Sequence, residues 1–219
     1  MFKGFQEEYK DFLIQLRFNN NREWFHENHD TYLKYVREPL KALVAEMGPM
    51  MLSIDPEFDI NLRRTISRIN RDLRYTRDKS PYRSNMWISF KRLAPEGKVV
   101  PSYYFEIFPE YYSYGMGFYN VPRGVMDEIR GMIDERNQKF MKIHKLYKIQ
   151  NTFTMEGRKY KRIMNKELPE DLLDWYQRKE LFFVCDRKDD MILSPKLIDV
   201  MYQDFKLIEP IYHFLRELT

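Results

Sequence analysis

Met86-Trp87-Ile88-Ser89-Phe90, Tyr103-Tyr104-Phe105-Glu106-Ile107-Phe108 and Tyr111 to Tyr119 are dense in aromatic and β-branched residues, with Pro, Gly and polar residues between them. That composition belongs to strands. It predicts three or four antiparallel strands over residues 84–121, with Pro109-Glu110 near one turn. On both sides of this block the apolar spacing changes to three and four, the period of a helix. Runs of helices around a block of strands indicate an α+β domain rather than a doubly wound parallel sheet. The expected architecture is a helical N-terminal segment, a central antiparallel sheet of about four to six strands with helices packed on it, and a helical C-terminus.

Residues 1–60 read as helical. Phe5, Tyr9, Phe12, Leu13 and Leu16 share one face, and Asn19, Asn20 and Asn21 form a polar break suited to a turn and N-cap. Trp24, Phe25, Asn28, Tyr32, Tyr35 and Val36 form a second periodic run, and Pro39 suits the first turn of a helix from Leu40 to Met51. Helix signals return at Pro122, where Val125, Ile129, Met132, Ile133, Phe140, Ile143 and Tyr147 trace a stripe over residues 122–150. Residues 151–219 are mixed. Within them 152–163 are ambiguous with one strand, Pro169 to Arg178 reads as a short helix, and Leu181 to Cys185 as a strand. Ser194-Pro195 reads as the start of a closing helix.

The chain has 219 residues, a length that suits one domain spanning 1–219. Hydrophobic residues at 43% and aromatics at 16% supply a packed core and exclude intrinsic disorder. Cys185 is the single cysteine, which excludes an intramolecular disulfide and any cysteine-based zinc or iron–sulfur site. The opening residues lack the apolar core of a signal peptide, and no apolar run approaches the roughly 20 residues of a membrane span. The expectation is a soluble cytoplasmic protein, with no membrane partner and no implied oligomeric state.

The formal net charge is only +4. Yet residues 61–92 hold ten basic residues against Asp72 and Asp78, a net of +8, and residues 136–166 hold ten against Glu156, a net of +9. The rest of the chain therefore carries −13. Two basic segments make an anion footprint, unless the acidic remainder packs against them. Lys139, Lys142, Lys145 and Lys148 step by three and drift around the outer side of a helix, which suits a solvated face.

The most specific stretch, within the arginine motif 61–83, is Arg68-Ile69-Asn70-Arg71-Asp72-Leu73-Arg74-Tyr75-Thr76-Arg77-Asp78-Lys79-Ser80-Pro81-Tyr82. Read as a helix, it puts Ile66, Ile69 and Leu73 on an apolar stripe. Arg68, Arg71, Asp72 and Tyr75 then fall opposite, with Arg68 and Asp72 an i,i+4 pair. Asp78-Lys79-Ser80-Pro81 reads as a turn. The candidate ligand-binding residues are Arg68, Arg71, Asp72, Arg74, Lys79 and Tyr82, with Asp72 and Tyr82 the candidates for proton transfer. The alternative is that Asp72 and Asp78 pair with neighbouring arginines and only fix the junction.

The spacing Arg-x-x-Arg-Asp-x-Arg-Tyr followed by Asp-Lys-Ser-Pro-Tyr resembles the signature of an uncharacterised bacterial family, domain of unknown function (DUF) family 2461. The resemblance extends to Phe12-Leu13, Leu16, Asn19-Asn20 and Trp24-Phe25, to Gly115 and Gly117 after the aromatic strands, and to the helix led by Pro122. It departs at Tyr160-Lys161-Arg162-Ile163-Met164-Asn165-Lys166, where the family's pattern has a Pro and a Gly. The resemblance implies no activity.

Other signals carry less. His26 and His29 lack further ligands at a metal spacing, so no metal and no cofactor is expected. Cys185, in an apolar run, is expected as a buried core thiol. Tyr114-Gly115-Met116-Gly117-Phe118 lacks the context of a dinucleotide loop and suits bends between or within strands. Tyr75, Tyr82, Trp87, Tyr103 and Tyr104 offer a stacking platform for bases or simply core.

Three functions remain open: a site for a small phosphorylated or carboxylated ligand, catalytic or not; a nucleic-acid-binding module using both basic segments; and an interaction or structural protein whose arginine motif is an internal ion-pair network. A small anionic ligand is the first partner expected and nucleic acid the alternative. For the first function, Arg71→Ala is expected to abolish binding while the fold survives.

Overall fold

Aromatic residues at helical spacing begin the structure, a computed structural model describing residues 1–74, 77–94 and 98–219. Helix α1 (Glu8–Phe18) buries Tyr9, Phe12, Leu13 and Leu16, the expected face. Asn21 caps α2 (Arg22–Glu27) by accepting the Trp24 N–H at 2.9 Å. The next periodic run is α3 (His29–Tyr32), a π-helical turn (Leu33–Arg37) and α4 (Glu38–Met51), with Pro39 in the first turn of α4 where a missing N–H costs nothing. A one-turn helix, α5 (Leu62–Thr65), follows.

Strands β1 (Met86–Phe90), β2 (Ser102–Ile107) and β3 (Tyr112–Gly117) stand where the aromatic block predicts. After α6 (Arg123–Asp134) and α7 (Gln138–Ile149) come β4 (Thr154–Glu156), α8 (Glu170–Tyr176), β5 (Phe182–Arg187), a 3₁₀ turn (Asp190–Leu193) and α9 (Leu197–Glu217). The five strands form one sheet in the order β1-β2-β3-β5-β4, with β4 antiparallel to β5 and Met155 opposite Phe183. The fold class is therefore α+β, as expected.

The chain divides into two units. The first comprises Met1–Phe90, Tyr104–Tyr114 and Asp186–Tyr202, and the second Lys91–Tyr103, Gly115–Cys185 and Gln203–Thr219. In the first, Phe5 packs on Phe105 with ring centroids 6.0 Å apart, and Phe12 meets Trp24 at 5.7 Å. In the second, Trp175 is fully buried and meets Phe140 edge-on at 5.3 Å, while Tyr103 lies 5.2 Å from Tyr212. Such aromatic pairs add to the buried apolar area that stabilises each core.

Two expectations need correction, and a third, that glycines fall within a strand, acquires its physical reason. The helix over 122–150 is two helices: Asn137 accepts the Lys139 N–H at 2.9 Å as an N-cap, and Arg136 takes φ 51° to turn the chain. Cys185 is half-buried, because burial fades along β5 from Phe183 towards the exposed Asp186. Gly115 and Gly117 lie inside β3, and at Gly117 a Cβ would stand 2.4 Å from Phe182 Cβ, so close approach explains that glycine.

Candidate functional site

The described residues of the stretch from Arg68 to Tyr82 form no helix. Ser67 N–H donates to Trp87 O at 2.9 Å, Arg83 N–H to Ile69 O at 2.8 Å and Arg71 N–H to Pro81 O at 2.8 Å. These bonds, with bridges Ile66↔Ile88 and Asn70↔Tyr82, make residues 66–71 an extended arm antiparallel to 81–88. Asp72 Oδ1 accepts the Arg74 N–H at 3.1 Å, and Asp78 Oδ1 the Ser80 N–H at 2.9 Å. Such local side-chain bonds favour turns over helix. The expected stripe fails with them: Ile66 and Ile69 are buried, but Leu73 is 38% exposed.

Between the Ser67–Trp87 and Ile69–Arg83 links, Arg68 alone on one arm faces Ser84, Asn85 and Met86 on the other. The extra residues form a bulge, a device that re-aims side chains at the edge of a sheet. Asn85 Nδ2 thereby donates to Glu106 Oε1 on β2. Trp87, Glu106 and Tyr104 alternate with the buried residues of β1 and β2, so they occupy the half-buried face of the sheet. The Arg83 guanidinium lies over the Trp87 ring at 4.9 Å from its centroid. Burial holds the Glu106 carboxyl above the usual carboxylate range, a shift that the Arg83 charge opposes and Asp186 reinforces.

The candidate residues separate into two groups. Asp72 is ion-paired to Arg74 at 2.8 Å, and that bond holds its carboxyl down to about 2. The expected Arg68–Asp72 pair does not form, because the extended arm removes the i,i+4 proximity of a helix. Arg71 pairs with Asp78 at 3.1 Å and donates to Tyr82 O at 3.3 Å. Lys79 Nζ donates to Leu73 O at 2.9 Å. Asp72, Arg74, Asp78, Arg71 and Lys79 therefore close the loop on itself. Arg68 is exposed, and among the described residues Arg68, Arg77 and Arg83 form no ion pair. Tyr75, expected beside Arg71, lies outside the described residues.

Tyr82 is an anchor. It is 7% exposed, its ring stacks on Phe25 at 4.1 Å, and Asn20 brackets its backbone, donating to its carbonyl and accepting its N–H at 3.0 Å each. Arg37, from the π-helical turn, donates to Ser67 O at 3.2 Å. Arg71→Ala would therefore loosen the hairpin as well as remove a charge, so it does not separate binding from folding. Of the aromatics expected as a stacking platform, Tyr82 and Tyr103 are buried and Trp87 and Tyr104 are half-buried.

The second unit holds a groove of about 800 Å³ between α7, α8 and the chain before α8, lined among others by His144, Lys148, Lys159, Asp171 and Asp174. Among the described residues both of its lysines pair with carboxylates. Lys148 meets Asp171 at 2.5 Å, Lys159 pairs with Asp174, and His144 Nε2 lies 3.2 Å from Asp171 Oδ2. Among the described residues the buried His144 Nδ1 has no hydrogen-bond partner. Nearby, Gln177 donates to the carbonyls of Tyr160 and Arg162 at 2.7 and 2.5 Å, holding the segment that departs from the expected pattern. Among the described residues no group of three or more His, Cys, Asp or Glu is placed to hold a metal ion, and no helix is long and apolar enough to cross a membrane.

Fold and hairpin together define an α+β protein with an arginine-rich hairpin seated on the edge of its sheet. The chain belongs to the DUF2461 family of conserved hypothetical proteins, whose profile matches residues 8–214. That family is uncharacterised, and no curated protein and no solved structure matches the chain. The two motifs that carry the resemblance touch each other, since Asn20 and Phe25 hold Tyr82.

Proposed function

We propose that the hairpin and the adjoining sheet face form a binding site for a small phosphorylated or carboxylated ligand. The observation that carries this reading is the surplus of positive charge after the loop has closed on itself: Arg71 and Arg74 have carboxylate partners, whereas Arg68, Arg77 and Arg83 have none among the described residues. Arginine presents a planar fork of donors suited to phosphate and carboxylate oxygens. The Trp87 ring beneath its guanidinium restrains Arg83 without using up its N–H donors. The internal-network alternative describes Arg71 and Arg74, and it leaves the other three cations unexplained.

The test is thermal denaturation with inorganic phosphate, phosphate esters and carboxylates at low and moderate salt. A ligand at 100 times its dissociation constant adds about 2.7 kcal/mol, several degrees in Tm. Stabilisation that survives moderate salt and disappears in Arg68→Ala with Arg83→Ala is expected. No stabilisation by any anion would refute the site.

A further inference from the structure

Glu106 is an unusual neighbour for a site that gathers anions. A carboxyl group on the half-buried sheet face, fixed by the Asn85 amide and close enough to Asp186 to feel its charge, repels a second anionic group at that end. Arg83, on the same face over Trp87, attracts one. The face is therefore polar in a directional sense, cationic at Arg83 and hydrogen-bonding at Asn85 and Glu106, with the exposed Arg68 opposite the bulge that carries Asn85. A carboxylate accepts from hydroxyl groups, the amide beside it both donates and accepts, and an aromatic ring nearby packs against carbon-bound hydrogens.

Resting on the reading above that the hairpin binds an anion, we infer that its ligand is a sugar phosphate, with the phosphate on Arg68 and Arg83 and the hydroxyls on Glu106 and Asn85. The two classes of ligand left open by the arginines are thereby separated. A dicarboxylate would set its second charge against Glu106, whereas a phosphorylated sugar presents neutral hydroxyls there. Glu106 and Asn85 are in this account specificity-determining residues and carry no step of chemistry.

The experiment is titration calorimetry of the full chain with ribose 5-phosphate, glucose 6-phosphate, inorganic phosphate, free ribose and succinate. The wild-type protein is expected to bind one of the sugar phosphates at least about tenfold more tightly than inorganic phosphate, the gain of one or two hydrogen bonds to a charged group. Free ribose and succinate are expected to bind more weakly than either. Glu106→Gln, nearly isosteric, is expected to lose that tenfold margin and keep inorganic phosphate, whereas Arg83→Ala loses both. Asn85→Asp provides a second variant should Glu106→Gln not fold, and it too is expected to lose the margin. Equal affinity for inorganic phosphate and both sugar phosphates, or tighter binding of succinate, overturns this inference and leaves the anion site standing. Absence of binding by every anion overturns both.

Discussion

Residues 61–92 and 136–166 carry +8 and +9 in sequence, and their side chains meet different partners. In the second stretch Lys139 reaches Glu217, Lys148 Asp171, Arg158 Glu180 and Lys159 Asp174, carboxylates 15 to 78 residues further along the chain. Nearby, Arg178 is buried between the carbonyls of Met155 and Gly157, each at 2.7 Å, and the Asp174 carboxylate. In the first stretch the pairs are local: Arg64 with Asp59, Arg74 with Asp72, Arg71 with Asp78. Among the described residues, distant pairs tie four cations of the second stretch to other elements, whereas the local pairs of the first shape a loop and leave Arg68, Arg77 and Arg83 without an ion pair. Net charge per segment cannot tell these cases apart.

The largest effect belongs to the buried cation of the second region. Arg178→Met is expected to destabilise by about 3–5 kcal/mol, because it strands two buried carbonyls and Asp174. Urea denaturation with an unchanged m-value measures it, and a loss under about 1 kcal/mol would mean that the carbonyls find other donors. In the hairpin, Arg71→Ala is expected to cost about 1–3 kcal/mol through the lost Asp78 pair and the freed Tyr82 carbonyl. Arg68→Ala, by contrast, should stay within about 0.5 kcal/mol. If the two cost the same, the division into loop-closing and outward-facing arginines fails.

Acid titration separates Glu106 from the ion-paired carboxylates, because Glu106 and Asp171 respond with opposite sign. Lys148, then His144, hold the Asp171 carboxyl down to about 2. Its folded value lies below the unfolded one, so its contribution is present above the ordinary carboxylate range. That contribution is lost as pH falls from about 4 towards 2. Glu106 lies above its ordinary value through burial, so its contribution is present below that value and lost as pH rises through the folded one. Stability curves against pH for Asp171→Asn and Glu106→Gln should flatten on opposite flanks, and flattening on the same flank would sink the assignment. The smallest effect is expected from Lys142→Ala with Lys145→Ala, exposed on α7. Stability should move by no more than about 0.5 kcal/mol, with phosphate binding unchanged.

The strands β1, β2, β3 and β5 were legible because aromatic and β-branched residues crowd together there, and α1 because its buried face repeats at three and four. The hairpin was not. Ile66, Ile69 and Leu73 satisfy helical spacing, and only the turn chemistry of Asp72 and Asp78 speaks for an extended arm. Asn137 was the overlooked signal that divides α6 from α7. Six candidate site residues lie in or beside the loop as read, but their roles differ: Tyr82 anchors, Asp72, Arg71, Arg74 and Lys79 close the loop, and Arg68 faces outward. Arg83 shows in the sequence only as charge, and no spacing marks Asn85 or Glu106. The Asn85–Glu106 contact joins positions 21 residues apart, and the Asn20–Tyr82 bracket positions 62 apart. Spacing along one sequence carries no signal for such contacts.

The central claim, that cations left over after loop closure hold an anion, is tested most directly by following Tm against inorganic phosphate at moderate salt. The proteins compared are the wild type, the Arg68→Ala with Arg83→Ala variant, and the Lys142→Ala with Lys145→Ala variant. The account predicts a phosphate-dependent rise of several degrees in the wild type and the lysine variant, and none in the arginine variant. An equal rise in all three, or no rise in any, would contradict it.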